Sequence, residues 1–274
     1  MHNEAIRNLK NLEIIQSKDN PLIKKLKGIQ GEVRAYQTTG ELWLEGEHLC
    51  AAAFDKGLEL NHLICSDAHY GELIQKFSNW FESAKKVSLI QDALLKSLST
   101  LPSPGSIGFL VQTPTPLGLD PLLATVVLDR VQDAGNVGSV LRSAAAFGFR
   151  QVIALQGTAG LWSNKVVRSA MGAHFSLRLV ESSSIDVIKE LKVPLLCTSS
   201  HLGEYLHQLQ QNMGIPYPCA WIFGHEGQGV RQELMELASM KVRIAQPGGE
   251  ESLNIAAASA VCLYASSNYE VSHR

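Results

Sequence analysis

The sequence lacks the features of secreted, zinc-binding and membrane-spanning proteins. Its five cysteines are scattered, odd in number and without a CxxC pair. That pattern fits neither a disulfide framework nor a zinc site, and it favours a reducing cytoplasm. The N-terminal MHNEAIRNLKNLEIIQ has no apolar signal-peptide core, and no run of about 18 apolar residues is available for a membrane span. We therefore expect a cytoplasmic chain with no metal and no membrane.

The chain also lacks a strong net charge and a dinucleotide-binding fingerprint. A formal charge of −2 gives no global basic signal, although a local patch is enough to bind nucleic acid. The absence of G-x-G-x-x-G argues against a Rossmann enzyme acting on a small molecule. What remains is an ordinary globular composition, with 274 residues of which 45% are hydrophobic and 18% charged. This composition predicts one large or two modest domains.

Proline and glycine cluster in LPSPGSIGFLVQTPTPLGLDP, residues 101–121, which is typical of a domain end and a linker. We therefore predict a small α/β domain over residues 1–111, a linker over 112–120 and a second domain over 121–274. In the second domain, near-continuous apolar strands alternate with helices, which predicts a parallel sheet covered on both faces. The predicted strands of that sheet are residues 124–128, 151–155, 194–198, 220–223 and 241–244.

Three loops of the second domain carry chemistry, and ligands of such sheets bind at the carboxyl ends of strands. The first loop is DRVQDAGNVGSVLRSAAAFGF, residues 129–149. Asn136 lies where it would cap the following helix. Gly138 and Arg142 are four residues apart and share a helix face. The alternative is a capped helix with a surface arginine.

The second loop is WIFGHEGQGV, residues 221–230, in which an apolar strand ends in three glycines within six residues. Such a loop adopts unusual dihedral angles or touches a ligand closely. It carries Gly224, Glu226 and Gly229. The alternative is a tight strand–helix turn with a solvated glutamate.

The third loop is GGEESLNIAAASA, residues 248–260. Ser252 is placed to cap a helix that runs from Leu253 to about Ser266. Asn254 would then lie in the first turn, off the core face. Capping by Ser252 does not explain why an asparagine is present at this position. That helix is predicted to bury Leu253, Ala256, Ala257, Ala260, Val261 and Tyr264 on one face, inside the subunit or across a dimer.

Together the three loops resemble the signature motifs of the SpoU/TrmH family of RNA ribose methyltransferases, in the SPOUT superfamily. The resemblance covers residues 121–267, and NKVVRSAMGAHF at 164–175 is similar to a further family segment. Three motifs in the right order are far more specific than one. The matching residues are Asn136, Gly138 and Arg142; Gly224, Glu226 and Gly229; and Ile244, Gly248, Ser252, Leu253 and Asn254.

The front of the chain resembles the small substrate-binding domain of these enzymes through residues 19–26 and 42–58. Residues 1–34 hold seven Lys/Arg and four Asp/Glu, whereas residues 35–111 hold five and nine, so most of this domain is acidic. The chain departs from the family pattern at Ala134, at Ala245-Gln246 and at Ala256. None of these departures removes a residue that we assign to chemistry.

The resemblance implies a deep trefoil knot in the C-terminal domain, a homodimer formed through that domain, and S-adenosylmethionine as the methyl donor for a ribose 2′-hydroxyl. The cofactor contacts that it implies are Gly224, Ile244, Leu253, Thr198 and Gly229. Arg142 would stabilise the developing alkoxide, because its pKa above about 12 makes it a poor base. Glu226 would accept the proton or hold Arg142. Asn136, Ser252 and Asn254 would position the ribose, its phosphate or Arg142.

Two other functions, and transfer RNA as another substrate, remain open. The same superfamily includes enzymes that methylate a guanine ring nitrogen, although the Asn136/Arg142 pattern favours the ribose. A non-catalytic RNA-binding or ribosome-assembly factor on the same fold is the rival from another class. Among RNA substrates, the two-domain layout favours ribosomal RNA over transfer RNA.

Overall fold

The computed structural model describes residues 12–212, 214–249 and 253–271. Contacts divide the chain into two compact units. The front unit consists of Met1–Pro114 and Trp162–Phe175, and the C-terminal unit consists of Thr115–Leu161 and Ser176–Arg274. The boundary between Pro114 and Thr115 falls inside the linker that the sequence predicts.

The front unit is built on a five-stranded mixed sheet. Its strands are β1 (Leu12–Ile15), β2 (Glu41–Glu45), β3 (His62–Ser66), β4 (Val87–Ile90) and β5 (Ile107–Gln112), in the order β1-β4-β3-β5-β2. The first three in that order are parallel, and β5 is antiparallel to both of its neighbours. Its helices are α1 (Pro21–Gly31), α2 (Ala35–Thr39), α3 (Glu47–Asp55), α4 (Tyr70–Lys76), α5 (Ser78–Ser83), α6 (Asp92–Leu98) and α8 (Asn164–Ala170).

Helix α1 illustrates how local sequence sets these elements. The side chain of Asn20 accepts a hydrogen bond from the backbone of Leu22, and Pro21 occupies the first helical position, where its missing N–H costs nothing. Ile23, Leu26 and Ile29 recur at three-residue spacing and are all buried. Burying each such side chain contributes roughly 1.5–3 kcal/mol.

The segment 162–175 corrects the predicted domain division, which placed it in the C-terminal domain. Val167 is buried in the same core as Leu49 and Phe109, and the half-buried Trp162 and Phe175 pack against that core. These apolar contacts, rather than its position along the chain, place the segment in the front unit.

The C-terminal unit contains a seven-stranded sheet in which every pairing is parallel. The strand order is β10-β12-β9-β11-β6-β7-β8. Its strands are β6 (Thr125–Leu128), β7 (Gln151–Leu155), β8 (Arg178–Ser183), β9 (Leu195–Thr198), β10 (Glu204–Tyr205), β11 (Ala220–Phe223) and β12 (Met240–Arg243). Its helices are α7 (Ala134–Ala146), α9 (Leu206–Asn212), α10 (Gln232–Leu237) and α11 (Ile255–Val271).

The predicted α/β class and parallel sheet are confirmed, and each of the five predicted strands overlaps a strand of this sheet. The two strands that were missed are at its edges: β8 is more polar than the central strands, and β10 is only two residues long. The trefoil knot stays a prediction.

Helix α11 corrects a second expectation. Its buried side chains include Ile255, Ser259, Cys262, Leu263 and Ser266, whereas Ala257, Val261 and Tyr264 are exposed. The prediction that Leu253, Ala257, Val261 and Tyr264 line the buried face was therefore wrong for this subunit, and Ala256 and Ala260 are half-buried. From Ile255 to Ala265 every residue except Ser259 is apolar, so hydrophobicity alone could not select the face. No helix in the described parts of the chain has both the length and the apolar character to cross a membrane.

Candidate functional site

The four central strands of the C-terminal sheet place the predicted loops side by side. In the order β12-β9-β11-β6 all neighbours are parallel, so their carboxyl ends lie at one edge of the sheet. The loops that follow β6, β11 and β12 are the three predicted from the sequence. The fold therefore brings three distant segments to one place.

The first loop leads into α7, and its cap differs from the one predicted. The carboxylate of Asp133 accepts a hydrogen bond from the backbone N–H of Asn136 at 2.7 Å. Asp133 is therefore the N-cap, and the prediction that Asn136 caps the helix was wrong. Asn136 lies within the first turn instead, where its side-chain amide is free to bind other groups.

The second loop is closed by its own backbone. His225 and Gly229 form an isolated antiparallel bridge, and Nδ1 of His225 accepts hydrogen bonds from the N–H groups of Gly227 and Gln228 at 3.0 and 3.2 Å. A Cβ on Gly224 would lie 2.2 Å from backbone atoms of Gly229 and Val230. Only glycine fits there, and the closed loop presents Glu226 to solvent.

The third loop ends at Asn254, which caps α11. Its Oδ1 accepts from the N–H of Ala256 at 2.8 Å, and its backbone carbonyl accepts from Ala258 at 2.9 Å. The helix begins at Ile255 rather than Leu253, so Asn254 has the capping role that we predicted for Ser252. Ser252 lies outside the described residues.

Side-chain hydrogen bonds join the three loops. Nδ2 of Asn136 donates to Oε1 of Glu226 at 3.2 Å, and Nδ2 of Asn254 donates to Oδ1 of Asn136 at 3.2 Å. The donors follow from chemistry, because an ionised carboxylate only accepts and Oδ1 of Asn254 already accepts from the helix. Each amide orientation is thus fixed by its neighbours. Three of the five predicted catalytic residues form one network at the carboxyl edge of the sheet.

Residues 124–264 match the SpoU rRNA Methylase family. The chain belongs to this family. A full-length relative, the uncharacterized tRNA/rRNA methyltransferase slr1673 of Synechocystis, is 31% identical over 91% of this chain and 92% of its own. The 23S rRNA (guanosine(2553)-2′-O)-methyltransferase of Bacillus subtilis is 27% identical over 91% of this chain and 97% of its own. The AdoMet-bound rRNA methyltransferase of Sinorhizobium meliloti has the same fold, with a TM-score of 0.79 at 24% identity, over 94% of this chain and 98% of that one.

Two predicted catalytic residues of this SpoU protein are not in the network. Ser252 lies outside the described residues, and Arg142 stands apart from the network. Arg142 is exposed, and its side chain makes no hydrogen bond or ion pair with any described residue. The prediction offered Glu226 two roles, and among the described residues its carboxylate contacts Asn136 rather than Arg142. The guanidinium of Arg142 is therefore available to a ligand.

The predicted cofactor contacts lie on the loops at the same edge. Thr198 ends β9, and its hydroxyl donates to the carbonyl of Ile222 at 3.3 Å. Ile244, directly after β12, is half-buried, and Leu253 keeps 41% of its surface exposed. No atom lies within 4 Å of a Cβ built on Gly229, so one side of that residue is open. These positions stay predictions for cofactor binding.

Sequence reasoning missed a charged cluster beside this site in the SpoU domain. Asp129 directly follows β6, and its side chain is fully buried. Its carboxylate binds Arg130 and Arg231, whose side chains are 26% and 27% exposed. An aspartate next to four buried strand residues was the available signal, because a buried carboxylate needs partners.

The titratable groups with a shifted pKa near the site are buried cysteine thiols. Burial raises the pKa of the Cys197 thiol, in β9, to about 11. All five cysteines are free and buried. No group of three metal-binding side chains occurs among the described residues.

Proposed function

We propose that this protein transfers a methyl group from S-adenosylmethionine to a ribose 2′-hydroxyl of ribosomal RNA. The observation that carries the proposal is the network Glu226–Asn136–Asn254, which joins the three family motifs at the sheet edge. The relative from Bacillus subtilis, named as a 23S rRNA 2′-O-methyltransferase, aligns along nearly the whole chain. Selecting a 2′-hydroxyl also distinguishes RNA from DNA.

The residues at this edge suit S-adenosylmethionine. The exposed apolar side chain of Leu253 and the half-buried Ile244 offer surface for an adenine face. The space beside Gly229, Gly248 and Gly249 lets a ligand reach backbone N–H and carbonyl groups, which suit a ribose and a carboxylate. When bound, the cofactor supplies an electrophilic methyl group on a sulfonium.

The chain's own residues supply orientation and charge. Asn136 donates to the carboxylate of Glu226 and is itself oriented by Asn254. We assign this carboxylate as the acceptor of the ribose proton. Arg142, exposed and without a described partner, stabilises the negative charge that develops on the ribose oxygen and binds the neighbouring phosphate. Preorganised groups of this kind lower the barrier without rearranging during the reaction.

Arg142→Ala tests this assignment, with Arg150→Ala as the matched control, because both arginines are exposed in the C-terminal unit. We expect Arg142→Ala to reduce the rate of methyl transfer to ribosomal RNA by about 10²–10³ and to leave the affinity for S-adenosylmethionine unchanged. Arg150→Ala should behave as wild type. Equal rates for all three proteins would remove Arg142 from the mechanism.

The front unit offers a basic surface for RNA. Residues 162–175 contain Lys165 and Arg168 and no acidic residue, which offsets half of the net negative charge of residues 35–111. Asn164 donates to the carbonyl of Ile29 at 2.5 Å and so joins α8 to the end of α1. The exposed Lys27 lies close by on α1, and neither it nor Lys165 forms an ion pair with a described residue.

A rival function, RNA binding without catalysis, predicts RNA affinity with no methyl transfer.

We assign the homodimer to the exposed face of α11. Ala257, Val261 and Tyr264 recur on one side of the helix, and all three are exposed. A continuous apolar stripe on a soluble surface marks an interface. Val261→Glu/Tyr264→Glu should convert the dimer to a monomer in light scattering, whereas Leu202→Glu, at another exposed leucine, should not. A monomeric wild type would refute the assignment.

The compartment that we propose is the cytoplasm. The five cysteines are free and buried, as expected of a protein that folds where thiols stay reduced.

A further inference from the structure

The carboxylate of Asp129 connects two loops of the site. Its Oδ2 accepts from the backbone N–H of Arg231 at 2.9 Å, and its Oδ1 accepts from Nε of Arg231 at 2.7 Å. Arg231 follows directly after the loop 224–230, which carries Glu226. The buried aspartate therefore fixes one end of that loop to the end of β6.

Arg130 connects the same carboxylate to the middle of the loop. Its Nε and Nη2 lie 3.3 and 3.5 Å from the two carboxylate oxygens of Asp129. Its Nη1 donates to Oε1 of Gln228 at 2.8 Å, and Nη2 lies 3.5 Å from the carbonyl oxygen of Gly229. One planar guanidinium thus contacts both loops at once, which a lysine cannot reproduce.

The backbone of Arg130 is strained, and this strain indicates a requirement for the side chain. Its φ is 58°, in the left-handed region where a side chain costs energy and glycine does not. Stability alone would favour glycine at this position. Strain of this kind persists where the surrounding structure needs the residue, and it clusters at functional sites.

We propose that Arg130 is a positioning residue for methyl transfer: braced by Asp129, it holds Gln228 and Gly229 so that Glu226 meets Asn136. The inference rests on the proposed function for its catalytic consequence. Among the described residues, no other side-chain hydrogen bond joins this loop to residues 129–133, between β6 and α7. Arg130 lies on the segment that leads to Asn136 and contacts the loop that carries Glu226, so a loop displaced by the loss of Arg130 would weaken the hydrogen bond between Glu226 and Asn136.

Arg130→Gly is the informative variant, because glycine removes the side chain and also relieves the backbone strain. Asp129 keeps its pair with Arg231, so no buried charge is left alone. We expect the dissociation constant for S-adenosylmethionine and the kcat for ribosomal RNA each to worsen about tenfold, with thermal stability kept. Arg130→Lys should remain impaired, whereas Arg150→Ala should match wild type.

Gln228→Ala and the double variant Arg130→Gly/Gln228→Ala complete a cycle. If the two side chains position the loop through their shared hydrogen bond, the double variant should be no worse than Arg130→Gly alone. The effects of substitutions at coupled neighbours are not additive. Additive losses, or wild-type affinity and kcat in Arg130→Gly, would overturn the inference.

Hydrogen exchange gives a readout that needs neither cofactor nor RNA. The N–H of Gly229 donates to the carbonyl of His225 at 2.8 Å inside the loop. Arg130→Gly should accelerate its exchange, and unchanged exchange would count against the brace. An inactive wild type would refute the proposed function and leave this measurement standing.

Discussion

Asn254 donates a side-chain hydrogen bond to Asn136 at 3.2 Å, across 118 residues of sequence. The same Asn254 caps α11, while the side-chain amide of Asn136 donates a hydrogen bond to Glu226 at 3.2 Å. One side chain therefore both caps the helix, through Oδ1, and orients the site, through Nδ2. A change at Asn254 acts on both, and different substitutions separate the two effects.

Asn254→Asp keeps an oxygen that can cap the helix but loses the amide donor to Asn136. We expect its unfolding free energy to match wild type, because a carboxylate suits a helix N-terminus, and its methyl transfer to fall at least about tenfold. Asn254→Ala should lose the same activity and also about 1 kcal/mol of stability. Urea unfolding and a methyl-transfer assay separate the two effects. Full activity in Asn254→Asp would contradict a role for the amide.

Glu226→Gln separates the two roles of this residue. The glutamine oxygen can still accept the hydrogen bond from Asn136 (3.2 Å in the wild type), but it cannot take up a proton. If Glu226 is the proton acceptor, kcat should fall by about 10²–10⁴ while the affinity for S-adenosylmethionine stays constant. A Glu226→Gln enzyme as fast as wild type, beside a slow Glu226→Ala, would show that the residue only holds Asn136.

Gly224→Ala should damage the site without touching any catalytic group. The added Cβ would lie 2.2 Å from the backbone of Gly229 and Val230, so the loop must open, at a cost of about 1–3 kcal/mol. We expect weaker binding of S-adenosylmethionine in calorimetry. The control is Gly227→Ala in the same loop, where the nearest atom is 3.8 Å away. Equal loss in both variants would mean that the loop tolerates no alanine anywhere.

Buried thiols predict a loss of stability at alkaline pH. Burial raises the pKa of Cys65 and Cys219 to about 12 and that of Cys197 to about 11. Below about pH 7 these thiols are neutral in both states and contribute no pH dependence. As pH rises from 8 to 10 the unfolded chain loses their protons and the folded protein keeps them, so each thiol lowers the unfolding free energy by roughly 1 kcal/mol. Urea unfolding should show this loss, and Cys219→Ala should show one thiol's share less.

Much of the C-terminal unit follows from the sequence because its central strands are apolar throughout and their loops are glycine-rich. Asn136, Glu226 and Asn254 could be predicted as neighbours for the same reason, since parallel strands put their carboxyl ends together. The caps could not be predicted, because Asp133 and Asn136, like Ser252 and Asn254, are rival capping residues a few positions apart. The packing of 162–175 depends on contacts with residues a hundred positions away, and no local pattern reports it.

The placement of 162–175 has a consequence for cutting the chain. A fragment that stops at residue 114 would fold without Val167, which belongs to the front unit's core, and would leave the groove for that segment open to water. A fragment that starts at residue 115 would carry the same segment without the front unit's core, to which Val167 belongs. The two units are interleaved in sequence, so a useful truncation of this protein must keep both passages of the chain or graft the second onto the first.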